Sequence, residues 1–75
     1  MMKIRTGDHV QIGYANRSVQ GEVRLASANG KNAMLVFPEL PPLGDYFGLM
    51  PVLQDDRGTF RDLIYRGQVT VTVRR

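Results

Sequence analysis

The 75-residue chain reads as all-β: a small single-domain β-barrel, or a strongly twisted antiparallel meander, of about five to six strands. Three observations predict this. Short apolar runs alternate with a period of two at roughly ten-residue spacing; Gly, Asn and Asp clusters separate them; and no stretch carries a helical stripe of useful length. No repeat, linker or low-complexity tract interrupts residues 1 to 75, so one domain is expected.

In chain order, Thr6-Gly7-Asp8 forms a turn cluster and launches Val10, Ile12 and Tyr14 as the inward face of a half-buried strand. Asn16-Arg17-Ser18 carries turn chemistry, because Asn and Ser side chains bond their own backbone. A second alternation follows, with Val19, Gly21, Val23 and Leu25 inward and Gln20, Glu22 and Arg24 outward. Gly21 has no side chain to pack and marks a bulge or sharp bend. Asn29-Gly30 is expected to make a tight hairpin with positive φ at both positions. It leads into Ala33-Met34-Leu35-Val36-Phe37, an uncharged run fit for a strand covered on both faces and ended by Pro38.

The loop Pro38 to Asp45 contains three prolines, which forbid a helix, while Leu40 and Leu43 predict that much of it lies over the core. Leu49 to Gln54 reads as a strand at an edge or bulge because of Pro51. Asp55 to Gly58 is a polar turn. Thr59 to Tyr65 then reads as a strand in which Phe60, Asp62 and Ile64 share a face, with Asp62 expected at a bulge or pointing to solvent. Arg66-Gly67 turns the chain into Gln68 to Arg74, where Val69, Val71 and Val73 face inward and Thr70 and Thr72 outward. Val23, Leu35 and Val71 are expected to meet in the core.

A chain of this size buries only about 60% of its unfolded surface, so it gains from any further burial. The absence of Cys excludes disulfides and thiolate metal sites, and one His with scattered carboxylates predicts no metal and no cofactor. The residues near the N-terminus include Lys3, Arg5 and Asp8 and lack the apolar segment of a secretory signal; with no membrane span, the expectation is a cytoplasmic protein. Self-association is the remaining common way to enlarge the core, and Leu40, Leu43, Phe47, Leu49 and Met50 are the candidate interface.

Catalysis is not expected. Asp8 and His9 are neighbours in an extended strand entry and point to opposite faces, so neither can orient the other beside a nucleophile. Phosphate-loop and dinucleotide fingerprints are absent. The net charge of +3 comes from the first half of the chain, and eight of the ten cations are Arg, which suits forked recognition of phosphate. Arg17, Arg24, Lys31 and Arg66, with Tyr14, Tyr46 and Tyr65 as stacking rings, are therefore candidates for single-stranded nucleic-acid binding.

Two stretches carry family resemblances. Gly7-Asp8-His9-Val10-Gln11-Ile12 resembles the first-strand entry of Src-homology-3-like and KOW-type small barrels, which implies that fold. Asn16-Arg17-Ser18-Val19-Gln20-Gly21 is similar to the Asn/Asp-x-Ser-x-x-Gly pattern of PilZ-type barrels, which bind cyclic di-GMP. That likeness implies nucleotide contacts by Asn16 and Ser18 and close approach at Gly21. The family's paired-Arg segment is represented only by Arg5, with His9 where the second Arg would stand. The order of expectation is thus a non-enzymatic module for protein interaction or self-assembly, then nucleic-acid binding, then cyclic di-GMP sensing.

Overall fold

The computed structural model describes residues 3–74 and contains six strands: β1 (His9–Tyr14), β2 (Arg17–Ala26), β3 (Asn32–Val36), β4 (Leu49–Gln54), β5 (Phe60–Asp62) and β6 (Gln68–Val73). Each pairs antiparallel with the next, and β6 returns to β1, so the sheet closes into a barrel. Closure removes every strand edge and its unpaired backbone groups. Among the described residues there is no helix, and so none long and apolar enough to cross a membrane.

The turn chemistry is distributed differently from the sequence expectation. The two-residue hairpin with positive φ at both central positions lies at Ala15 (52°) and Asn16 (61°), with Tyr14 paired to Arg17, so Arg17 and Ser18 belong to β2. At the expected Asn29-Gly30 site only Gly30 is left-handed, at 73°. The connection there is longer, closed by the Ser27 amide donating to the Asn32 carbonyl at 2.9 Å. Its interior is held by Asn29 Oδ1, which accepts from the Lys31 amide and the Ser27 hydroxyl. The tight turn is thus replaced by a longer one, closed by backbone bonds and braced inside by the Asn29 side chain as an additional acceptor.

Along β2 the alternation holds through Val23, which is buried, and then slips. Val23 pairs with Leu35 but Leu25 pairs with Met34, so Arg24 is the extra residue of a β-bulge. A one-residue slip exchanges the faces of everything beyond it. Ala26 consequently packs against the core and Leu25, expected inward, stands 66% exposed. Gly21 is not the bulge: it pairs in register with Val10 and marks a close approach of β3. A methyl group there would stand 2.5 Å from the Val36 carbonyl oxygen and 2.7 Å from Ile12 Cδ1, so only glycine lets β3 cross this closely.

The core joins Val10, Ile12, Val23, Leu35, Met50, Val52, Phe60 and Val69 from all six strands. Val71 is half-buried against it, so Val23, Leu35 and Val71 belong to one packed cluster as the alternation predicts. Ile4 packs beneath the 27–31 connection, beside Gly30. Near the β1–β2 hairpin the proline loop folds back: Leu43 and Tyr46 exchange both backbone hydrogen bonds, and both side chains are buried. That burial corrects two interface expectations. Leu43 and Met50 are enclosed in the barrel's own core and can reach no partner, whereas Leu40, Phe47 and Leu49 remain exposed.

The fifth strand is also shorter than expected. After Asp62 the chain turns, and Ile64 is 65% exposed rather than sharing the buried face of Phe60. Asp62 itself is wholly buried, neither at a bulge nor in solvent.

Candidate interaction surface

Residues opposite one another on paired strands share a face, so the register lays out the outer surface of β2 to β5 directly. Three rows cross it. The first is Glu22, Val36 and Leu49; the second is Leu25, Met34 and Pro51, continued by Leu63, whose amide donates to the Pro51 carbonyl; the third is Asn32, Leu53 and Arg61. Every outward side chain of β4 from Leu49 to Leu53 is apolar, and on β3 only Asn32 is polar. These two strands are thus apolar on both faces while one barrel covers only the inner. Leu25, Leu49 and Leu63 are 66%, 47% and 45% exposed. Leu25, Met34, Pro51 and Leu63 line a shallow groove of about 420 Å³ at the centre of this face.

The charged side chains of this face are Glu22, the exposed Arg24 at the bulge beside Leu25, and Arg61. Glu22 and Arg61 end the first and third rows on opposite sides, diagonally across the face. Arg61 Nε donates to Asp55 Oδ2 at 3.0 Å and its Nη1 to the Arg66 carbonyl at 3.0 Å, which steadies the guanidinium at the rim.

A second feature organises the chain around the proline loop. The buried Asp62 carboxylate accepts hydrogen bonds from the Tyr46 hydroxyl (2.5 Å), the Tyr65 amide (2.7 Å) and the Gly67 amide (2.6 Å), and the Tyr14 ring packs edge-on against Tyr46 beside it. Burial pushes its carboxyl up, but these donors outweigh burial and hold it below the usual carboxylate range. Burial first, and the Asp62 charge second, push the Tyr14 and Tyr46 phenols up. Gly67 packs closely here: a Cβ would stand 3.1 Å from both Asp62 Oδ1 and the Tyr14 ring. The cluster ties β1, the proline loop, β5 and the turn before β6 to one anion.

The cations proposed for nucleic acid do not gather. Arg17 and Arg24 are seven residues apart on one strand, roughly 20 Å at extended spacing. Arg17 Nη1 donates to the Pro42 carbonyl at 3.1 Å, Arg24 occupies the bulge, Lys31 lies in the connection before β3, and Arg66 sits in the turn after β5 at φ 61°. Tyr14, Tyr46 and Tyr65 converge on Asp62 instead of lining a sheet face. Of the nucleotide candidates, Asn16 is a turn residue, Ser18 Oγ accepts from Gln11 Nε2, and Gly21 is occupied by β3's approach. A groove of about 570 Å³ runs beside Gly21 between His9, Glu22, Phe37, Pro38 and Arg74.

The outer apolar face had one legible signal, the uninterrupted run from Ala33 to Phe37. Leu25 and Leu63 join it through the bulge and the early end of β5, which no local pattern announces. Comparison of the chain with models of protein families, with curated proteins and with solved structures finds no match in any of the three.

Proposed function

We propose that this chain is a non-enzymatic interaction module that self-associates through the outer face of β3 and β4. The observation that carries the reading is the double-sided apolarity of these two strands. A closed barrel of six antiparallel strands is compatible with the Src-homology-3-like class that Gly7-Asp8-His9-Val10 resembles. Because the barrel has no free edge, a partner meets side chains and not an open backbone ladder.

A second copy suits this face for two reasons. The apolar centre of this face, Leu25, Met34, Pro51 and Leu63, is covered without stranding a charge only by another apolar surface, and a second copy supplies one by identity. Glu22 and Arg61 also stand at opposite corners, so a two-fold axis in the contact plane, along the other diagonal, sets each copy's Glu22 over its partner's Arg61. Full burial of a leucine is worth about 1.5–3 kcal/mol, so covering the exposed parts of Leu25, Leu49 and Leu63 yields about 2–5 kcal/mol per copy. Over two copies that is about 4–10 kcal/mol against an association cost of about 4–15 kcal/mol, which supports a weak dimer with a Kd of roughly 0.1 mM or higher.

Sedimentation equilibrium from about 10 μM to 1 mM tests the reading. The parent should show reversible dimerisation, Leu25→Glu should be monomeric throughout, and Glu22→Arg should weaken association by setting like charges together. A parent that stays monomeric at the top of the range, or a Leu25→Glu variant that dimerises equally, refutes it.

A further inference from the structure

Apart from the apolar face, the barrel end that carries the β1–β2 hairpin holds an open cleft of about 470 Å³ lined by Tyr14, Ala15, Gly44, Asp45, Tyr65 and Gln68. Its walls are two tyrosines and one carboxylate. Tyr14 is backed by a second ring: it meets Tyr46 edge-on at 5.8 Å and 74°. Gly44 brings loop backbone against the ring edge, where a side chain would stand 2.7 Å from Cε2. Tyr65 is 60% exposed yet held at both ends, its amide donating to Asp62 at 2.7 Å and its hydroxyl to Asp45 Oδ2 at 2.8 Å.

Asp45 supplies the charge. It accepts only that tyrosine hydroxyl, and among the described residues it forms no ion pair. The neighbouring cations do not neutralise it: the Arg17 guanidinium donates to the Pro42 carbonyl, and no side-chain bond joins Arg66 to Asp45. An exposed aromatic ring held in place loses little freedom when a ligand arrives, so the cleft is organised before it is filled.

We infer that this cleft receives the guanidinium group of an arginine side chain on a partner polypeptide. A ring face attracts a cation through its quadrupole, and the planar, weakly hydrated guanidinium can stack on such a face while donating its forked N–H groups to a carboxylate. An ammonium lacks the plane and the fork, and an apolar side chain would leave Asp45 without a counter-ion.

The probe is N-acetyl-arginine methylamide, titrated into the ¹⁵N-labelled full chain, with N-acetyl-citrulline methylamide as a neutral control of nearly the same shape. The arginine compound should give saturable shifts at the amides of Tyr14, Gly44, Asp45, Tyr65 and Gln68, and the citrulline compound should not. Asp45→Asn should weaken binding by about tenfold. Tyr65→Leu should abolish it, whereas Tyr65→Phe keeps the ring and should retain it; thermal melts confirm that each variant is folded. Equal shifts with citrulline, an Asp45→Asn variant that binds like the parent, or saturable shifts located elsewhere would each overturn the assignment.

Discussion

Replacing Asp62 by Asn is the most searching perturbation of this fold, because it keeps shape and removes only charge and acceptor capacity. The carboxylate accepts from the Tyr46 hydroxyl and from the Tyr65 and Gly67 amides, and no solvent reaches it. An amide offers one oxygen and turns an N–H₂ group toward the remaining donors, so at least one charge-assisted bond is lost and one is set donor to donor. Charged hydrogen bonds contribute about 1.5–3 kcal/mol each, so a destabilisation of about 3–5 kcal/mol is expected. That is comparable with the whole stability of a domain this size, about 4–11 kcal/mol at the usual per-residue range.

Urea denaturation followed by far-ultraviolet circular dichroism and tyrosine fluorescence measures it, since the chain has no Trp. The variant should lose most of its midpoint urea concentration at neutral pH, and Tyr46→Phe should lose about 1.5–3 kcal/mol by deleting a single donor. The acid profile supplies a second reading. Asp62's folded pKa lies below its unfolded value of about 3.9, so its contribution is fully present above that value and disappears as pH falls through the folded one. The stability difference between parent and Asp62→Asn should therefore narrow below about pH 4. A variant as stable as the parent at pH 7, or a difference that stays constant down to pH 2, refutes the account of Asp62 as an ionised buried hub.

Two further predictions concern packing and base. Leu35→Ala deletes a wholly buried side chain at the barrel centre and should cost about 2–5 kcal/mol, whereas Thr72→Ala, on the exposed face of β6, should change stability by less than about 1 kcal/mol; thermal melts of both decide whether the assigned register is right. The Tyr14 and Tyr46 phenols have folded values raised above the unfolded value of about 10, so their contribution is full below that pH and is lost as pH rises toward the folded values; stability measured from pH 8 to 12 should fall above about pH 10, and less steeply in Tyr46→Phe.

What the sequence determined by itself was the set of strands and most of their faces. Val10 and Ile12, Val19 and Val23, and Val69 with Val71 could be oriented from alternation alone, because the members of each pair lie an even number of residues apart on an undisturbed ladder. The proline loop's return over the core was likewise legible in Leu43, an apolar residue where no strand can form. Tertiary structure decided everything that depends on two distant segments meeting. The bulge at Arg24 arises where the Val23–Leu35 and Leu25–Met34 pairings differ by one residue, so Leu25's outward face is a property of β2 and β3 together.

Asp62 is the clearest case. A carboxylate amid apolar neighbours is a misfit in any local reading, since burying it alone would be prohibitive. Its partners lie 16 residues upstream at Tyr46, whose ring packs on Tyr14 of β1, and in the turn that follows it, and they come together only when the barrel closes. Both proposed sites have the same origin. Rows that each cross three strands, and a cleft assembled from a hairpin, a loop and a turn, exist only once the register brings those segments side by side.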